Sequence, residues 1–249
     1  MVSAKASLAP PPLATLRKRR PVAILLDFDG TLVEIAPTHD TIAVPERFGV
    51  RLADLSRRLD GRLALVTGRS LEDLAGHLGQ LDLARAGSHG IERIRADGSR
   101  LGDVPAPIPA SAVEALAGFI AQHPLVTIER KASGAALHFR ADPGREEAAV
   151  ARAAEIARQH GLGCKRGKCV VELVHPGADK GRAVLAFMAE APFAGALPVF
   201  IGDDVTDEDG FRAAGDLGGF GILVGELNGG TRARYRLPDV KGVHHWLEL

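Results

Sequence analysis

Two aspartates stand two residues apart at the end of an apolar run, in Val22-Ala23-Ile24-Leu25-Leu26-Asp27-Phe28-Asp29-Gly30-Thr31. The run is short, continuous and aliphatic, which is how a strand buried on both faces reads. In extended backbone, residues i and i+2 point to one side. Asp27 and Asp29 therefore crowd two anions at one strand end. A hard divalent cation with oxygen ligands is one reason to place them there, because it offsets the repulsion. Gly30 then permits the sharp turn that follows. The arrangement suits phosphoryl transfer.

Leu63–Val66, Val199–Ile201 and Phe220–Val224 read as further buried strands. Helical patterns lie between them, over Arg47–Leu59, over Leu71–Leu78 after the N-cap candidate Ser70, and over Gly181–Met188 after Asp179 and Lys180. Strands alternating with helices predict an α/β core with a parallel sheet. The middle of the chain differs. It reads as a helix over Ser111–Gln122, strands Val126–Lys131 and Ala135–Arg140 about a Ser133-Gly134 turn, a helix over Glu146–Gln159, and strands Gly163–Lys165 and Lys168–Val174 about an Arg166-Gly167 turn. That order predicts a small antiparallel sheet with helices on one face, inserted as a cap. The expected domains are a disordered leader over 1–20, a core over 21–104 and 178–249, and a cap over 105–177.

Three of these cap strands each carry one polar, mostly charged face. Thr127, Glu129 and Lys131 share a side, as do His138 with Arg140 and Lys168 with Glu172. Such a face is either solvated, as antiparallel sheets often are, or a wall for a polar ligand. The Arg166-Gly167 turn sets Cys164 opposite Cys169, a pair expected to stay reduced in a cytoplasmic protein.

With 249 residues, 46% of them hydrophobic, the chain has material for real cores. Its zero formal net charge argues against nucleic-acid binding, and no apolar run approaches the roughly 20 residues of a membrane span. The leader has no apolar segment of the secretory kind. Its Arg17-Lys18-Arg19-Arg20 run reads as a solvated face or as a site for an acidic partner. A cytoplasmic monomer acting on a small molecule is the expectation, with no nucleic-acid or membrane partner.

Four chemically rich loops fall at strand ends or helix starts, where open α/β sheets bind ligands. They are Asp27 to Thr31, Thr67-Gly68-Arg69, Lys180, and Gly202-Asp203-Asp204-Val205-Thr206-Asp207-Glu208. In order and spacing these resemble the motifs of the haloacid dehalogenase superfamily. LDFDGTLVEIAPTHD, VTGR, AGSHGIE, the cap pieces ERK and LHFR, KCVVELVHPGADKG and FIGDDVTDEDGF are similar to the trehalose-6-phosphate phosphatase family. One departure is His175-Pro176, where that family often has Arg-Pro.

The resemblance implies a Rossmann-like core with an inserted α/β cap. It also implies magnesium-dependent hydrolysis of trehalose 6-phosphate through an aspartyl-phosphate, within trehalose biosynthesis. Asp27 becomes the nucleophile, Asp29 the proton carrier, Thr67 a donor to the phosphoryl group and Lys180 a charge that offsets it. Asp27, Asp203 and the Asp29 backbone carbonyl become the Mg2+ ligands. Asp204 and Asp207 stand near the metal or serve the helix start, where acids are favoured. Arg69 orients its loop or touches substrate, and His89 lines the cap–core cleft or packs structurally. Glu129, Lys131, His138, Arg140, Lys168 and Glu172 become candidate sugar contacts. The alternatives are a phosphatase for another sugar phosphate, a phosphate-retaining mutase and a non-catalytic sugar-phosphate sensor.

Overall fold

The computed structural model describes residues 8–36, 41–103, 106–131, 133–227 and 229–249. The chain divides into two compact units, Met1–Gly102 with Asp179–Leu249, and Asp103–Ala178.

In chain order the first unit begins with α1 (Leu13–Arg19), β1 (Val22–Leu26), α2 (Phe48–Arg58), β2 (Leu63–Val66), α3 (Leu71–Leu78), β3 (Ala84–Gly87) and β4 (Glu92–Ile94). The second unit contributes α4 (Ala110–Ile120), β5 (Thr127–Lys131), β6 (Gly134–His138), α5 (Glu146–His160), β7 (Gly163–Gly167) and β8 (Val170–Val174). The first unit then resumes with α6 (Lys180–Met188), β9 (Leu197–Gly202), α7 (Glu208–Asp216), β10 (Phe220–Val224), β11 (Tyr235–Leu237) and α8 (Val240–Leu247).

The first unit is built on a seven-stranded sheet in the order β11-β10-β9-β1-β2-β3-β4. Every pairing is parallel except β3 with β4. Alternation along β1 sends Val22, Ile24 and Leu26 into one apolar cluster with α2 and α8, and Ala23 and Leu25 into another with α6 and α7. Both faces are therefore dry, which explains why the central strands carry no polar residue. The chain winds from β1 to β2 and β3 on one side. After the insertion it returns through β9, β10 and β11 on the other, so the direction of winding reverses between β1 and β9.

The leader departs from expectation. Residues 1–7 lie outside the described residues, but Leu13–Arg19 is a helix, and Leu13 and Leu16 are buried in the core cluster with Trp246. The Trp246 indole N–H donates to the Pro11 carbonyl at 2.9 Å. The apolar surface that orders this segment comes from the far end of the chain, so nothing local signals it.

The second unit is a four-stranded antiparallel sheet in the order β5-β6-β8-β7. Ala135 and Leu137 of β6 and Val171 and Leu173 of β8 pack with Ala112, Leu116, Ala149, Ala153 and Ile156 of α4 and α5. The β7–β8 turn falls at Lys168-Cys169 rather than Arg166-Gly167, and Cys169 takes a φ of 59°. Gly167 pairs with Val170 and Cys164 with Leu173, so the cysteines are not opposite each other, and both are free. Lys168 accordingly lies in the turn and not on the face of β8.

Candidate active site

The reversal between β1 and β9 opens a crevice at the carboxyl ends of the strands, where ligands bind in open α/β sheets. Leu26 pairs with Leu65 of β2 on one side and Ile201 of β9 on the other. This register brings Asp27, Thr67 and Asp203 to one edge. The backbone turns at once after β1, with the Gly30 N–H donating to the Val33 carbonyl at 2.7 Å. Gly30 has a φ of +76°, and a Cβ there would lie 2.2 Å from Asp203 Oδ2. Only glycine supplies both the left-handed conformation and the room.

One carboxylate oxygen from each of Asp27, Asp203 and Asp207 lies within 4.8 Å of the others, and all three residues are buried. Lys180 Nζ sits 2.8 Å from Asp27 Oδ1 and donates to Asp207 Oδ1 at 2.6 Å. Its charge is buried at the first turn of α6, where the helix dipole disfavours a cation. Burial pulls the ammonium down, but Asp207 and Asp27 outweigh it and hold Lys180 protonated. Burial first, and the Asp207 and Asp203 charges with it, push the Asp27 carboxyl well above its ordinary value despite Lys180. One lysine thus faces three buried carboxylates, and a divalent cation bound by oxygen fits the remaining imbalance.

Asp207 has its own partners. Oδ2 accepts from the Asp203 and Asp204 N–H groups, each at 2.9 Å, while Oδ1 takes Lys180. Gly202 leaves the space, since a Cβ there would lie 2.3 Å from Asp207 Cγ. Asp207 is therefore an anchor for the lysine and for the loop after β9. Asp204 caps the short 3-10 turn Val205–Asp207, accepting from the Val205 N–H at 2.6 Å. Glu208 accepts from the Thr231 hydroxyl and the Arg232 N–H. The acidic run that follows β9 thus divides between the crevice and a helix start.

Thr67 is buried at the end of β2, and its Oγ1 accepts from the Arg69 N–H at 3.1 Å. Arg69, a candidate for substrate contact, is engaged within its own unit. Its Nε and Nη2 donate to Asp29 Oδ2 and Oδ1 at 2.6 and 2.7 Å, and Nη1 donates to Asp73 Oδ2 at 2.5 Å. Burial pulls the guanidinium down, but Asp29 and Asp73 outweigh it and hold Arg69 firmly charged. Asp73 escapes a motif-based reading, because Arg69 precedes the N-cap Ser70 and helical spacing does not relate the two.

His89 is buried beside this loop, and a Cβ on Gly68 would lie 2.8 Å from its imidazole Cε1. Ser88 and His89 have φ of 48° and 55°, a costly conformation for residues with side chains. The strain sits where the Ser88 and His89 N–H groups donate to the Arg69 and Thr67 carbonyls, at 2.7 and 3.0 Å. This turn holds the loop after β2 in place.

In the second unit, Glu129, Lys131, His138 and Glu172 form one network. Lys131 pairs with Glu172 and lies 3.9 Å from Glu129 Oε1, and His138 Nε2 lies 2.8 Å from Glu129 Oε2. Burial pushes the Glu129 carboxyl up, but the His138 hydrogen bond and the Lys131 charge together hold it below 4.5. Arg140 lies just past the end of β6, where its Nη2 donates to the Lys168 carbonyl at 3.3 Å.

A family profile described as trehalose-phosphatase matches residues 25–241. The trehalose-6-phosphate phosphatase of Escherichia coli (strain K12) is 40% identical over 229 residues, spanning 91% of this chain and 85% of that protein. Among solved structures, the C-terminal domain of Candida albicans trehalose-6-phosphate phosphatase aligns with a TM-score of 0.82 at 18% identity, covering 99% of this chain and 100% of that one. A haloacid dehalogenase-like hydrolase from Bacteroides thetaiotaomicron aligns with a TM-score of 0.63 at 17% identity, covering 91% and 98%. At those identities the two structures speak to the fold, which is of the haloacid dehalogenase type.

Proposed function

The chain belongs to the trehalose-phosphatase family, a family of phosphoric monoester hydrolases, and on that premise we propose that it hydrolyses trehalose 6-phosphate to trehalose and phosphate through an aspartyl-phosphate on Asp27. The observation that carries this reading is the burial of the Asp27 carboxylate between Lys180 and the Asp203–Asp207 pair at the reversal of the sheet.

In the first half-reaction an Asp27 oxygen bonds to phosphorus and the bond from phosphorus to the sugar oxygen breaks. Asp29 gives that oxygen a proton. In the second half, water loses a proton to Asp29 and attacks phosphorus, the acyl phosphate bond breaks, and Asp27 and inorganic phosphate are regenerated. A carboxylate is a weak nucleophile, so positioning and charge neutralisation do most of the work. Lys180, charged and held by Asp207, offsets the phosphate. Thr67 already accepts from the Arg69 N–H, which leaves its hydroxyl hydrogen to donate to the phosphoryl oxygens. Mg2+ would be held by carboxylate oxygens of Asp27 and Asp203 with the Asp29 backbone carbonyl, Asp204 and Asp207 staying outside the direct ligands. When bound it supplies positive charge to the phosphoryl oxygens.

Glu129, Lys131, His138 and Glu172 are the proposed sugar contacts, since a preassembled set of charged donors and acceptors suits hydroxyl groups. Arg140, Lys168 and His89 are proposed as further substrate contacts. The inserted cap over 105–177, a monomeric state and a cytoplasmic setting complete the proposal. No helix among the described residues is long and apolar enough to cross a membrane.

The test is phosphate release from trehalose, sucrose, glucose and mannose phosphates, with and without magnesium. Trehalose 6-phosphate with magnesium should dominate. Equal rates on all four would assign a general sugar phosphatase instead. Glu172→Ala should lose at least tenfold more kcat/KM on trehalose 6-phosphate than on a small aryl phosphate.

A further inference from the structure

Arg69 is the hub of a chain of side chains leading from α3 to Asp29. Its Nε and Nη2 grip both Asp29 oxygens at 2.6 and 2.7 Å. Its Nη1 reaches Asp73 Oδ2 at 2.5 Å and lies 3.2 Å from His77 Nε2, and that same imidazole nitrogen is 3.6 Å from Asp73 Oδ1. The guanidinium carbon stands 5.8 Å from the centre of the Phe28 ring. Asp73 and His77 stand four residues apart on α3, which sets them on one side, and Arg69, one residue before the N-cap Ser70, reaches both with its side chain. Asp73 is itself fixed, because its N–H donates to the capping Ser70 Oγ at 3.1 Å.

We propose that Asp73, backed by His77, is a positioning residue that acts through Arg69 to orient the Asp29 carboxylate. The inference rests on the reading of Asp29 as the proton carrier. A planar fork with two donors fixes the plane and direction of a carboxylate, which a point charge does not. The fork is itself free to swing about its long stem unless its far edge is held. Asp73 holds that edge from a rigid helix start, as outer partners hold functional groups in precise sites. The plane of the Asp29 carboxylate is thereby fixed. That matters for a group that must meet first a leaving oxygen and then a water.

The experiment compares Asp73→Asn with the unaltered protein on two substrates. Trehalose 6-phosphate needs its leaving oxygen protonated. p-Nitrophenyl phosphate has a leaving group stable as an anion, so its first half-reaction does not call on Asp29. The expected result is a kcat on trehalose 6-phosphate lowered about tenfold with KM within about twofold. The pre-steady-state burst of p-nitrophenolate should keep its rate, and Asp73→Glu should recover part of the loss. A burst slowed as much as sugar-phosphate turnover would mean that Asp73 only holds the fold, and would overturn the proposal. Should Asp73→Asn fail to accumulate folded, Arg69→Lys reads the same quantity, and undiminished turnover in it overturns the proposal too. An unaltered protein that bursts with p-nitrophenyl phosphate but ignores trehalose 6-phosphate overturns the substrate assignment and leaves the burst comparison to judge Asp73.

Discussion

Gly30 and Asp203 cannot both stay in place if Gly30 gains a side chain. A methyl group at 2.2 Å from Asp203 Oδ2 must displace that carboxylate, and the φ of +76° adds strain of about 1–2 kcal/mol. Gly30→Ala should therefore lower the urea midpoint and weaken the stabilisation given by added magnesium. An unchanged midpoint and unchanged magnesium response would remove the steric account. Asp27 makes the opposite prediction. Its carboxyl binds a proton more tightly in the folded state than the ordinary value of 3.8 allows, because of burial and then the Asp207 charge. The metal-free protein should therefore lose stability as pH rises from about 3.8 through the raised Asp27 value, and level off above it. Asp27→Asn should flatten that slope and raise the metal-free melting temperature at neutral pH, while abolishing turnover and sparing sugar-phosphate binding. Melting curves across pH and a binding titration decide it. Asp27, Thr67 and Lys180 were legible because each ends a strand or starts a helix in a recognisable pattern. Asp73 was not, because its role depends on where Arg69 points, and side-chain direction is a tertiary fact.

Helix α1 shows how an element can lack a local signal. Seven residues are too few to be helical alone, so the helix exists only because Leu13 and Leu16 are buried with Trp246. Leu13→Ala should destabilise the first unit by roughly 2 kcal/mol, at the low end for a buried leucine. The midpoint of Trp246 fluorescence in urea measures this, and an unmoved midpoint would return the segment to a loose tail. Strand β3, Ala84-Arg85-Ala86-Gly87, was equally hard to foresee. It has no β-branched residue, and its strand state is imposed by parallel pairing with β2. The β7–β8 hairpin misled in another way. Arg166-Gly167 has the usual turn chemistry, yet Cys169 accepts the left-handed position. The shift lets Lys165 pair with Glu172 and Cys164 with Leu173. The two registers differ by an even number of residues, so every side chain keeps its face in either one.

At the scale of the molecule, the alternation of strands and helices announced the parallel sheet, and its interruption announced the second unit. The first unit has two apolar clusters and the second has a third, so a core substitution in one unit should be felt there first. Phe139 is 1% exposed in the second unit's cluster. Phe139→Ala should cost that unit about 3–5 kcal/mol. The chain's one tryptophan, Trp246, and its one tyrosine, Tyr235, both belong to the first unit. In Phe139→Ala, circular dichroism should therefore show an early transition that intrinsic fluorescence does not. Coincident curves would mean that the two units unfold as one.

The position of β1 has a consequence for biosynthesis. This strand is wholly apolar and lies at the centre of the sheet, with β2 on one edge and β9 on the other. Its partner β2 follows within the same stretch of chain, but β9 is separated from it by the entire inserted unit. As the polypeptide leaves the ribosome, the β9-facing edge of β1 stays unpaired until the insertion has been made. An open, flat, aliphatic edge is a template for pairing with other chains. The nascent protein therefore passes through a sticky half-built sheet, and the waiting time grows with the length of what is inserted. Slowed translation across the insertion should increase aggregation of the nascent chain, and a holdase bound to the β1 segment should relieve it.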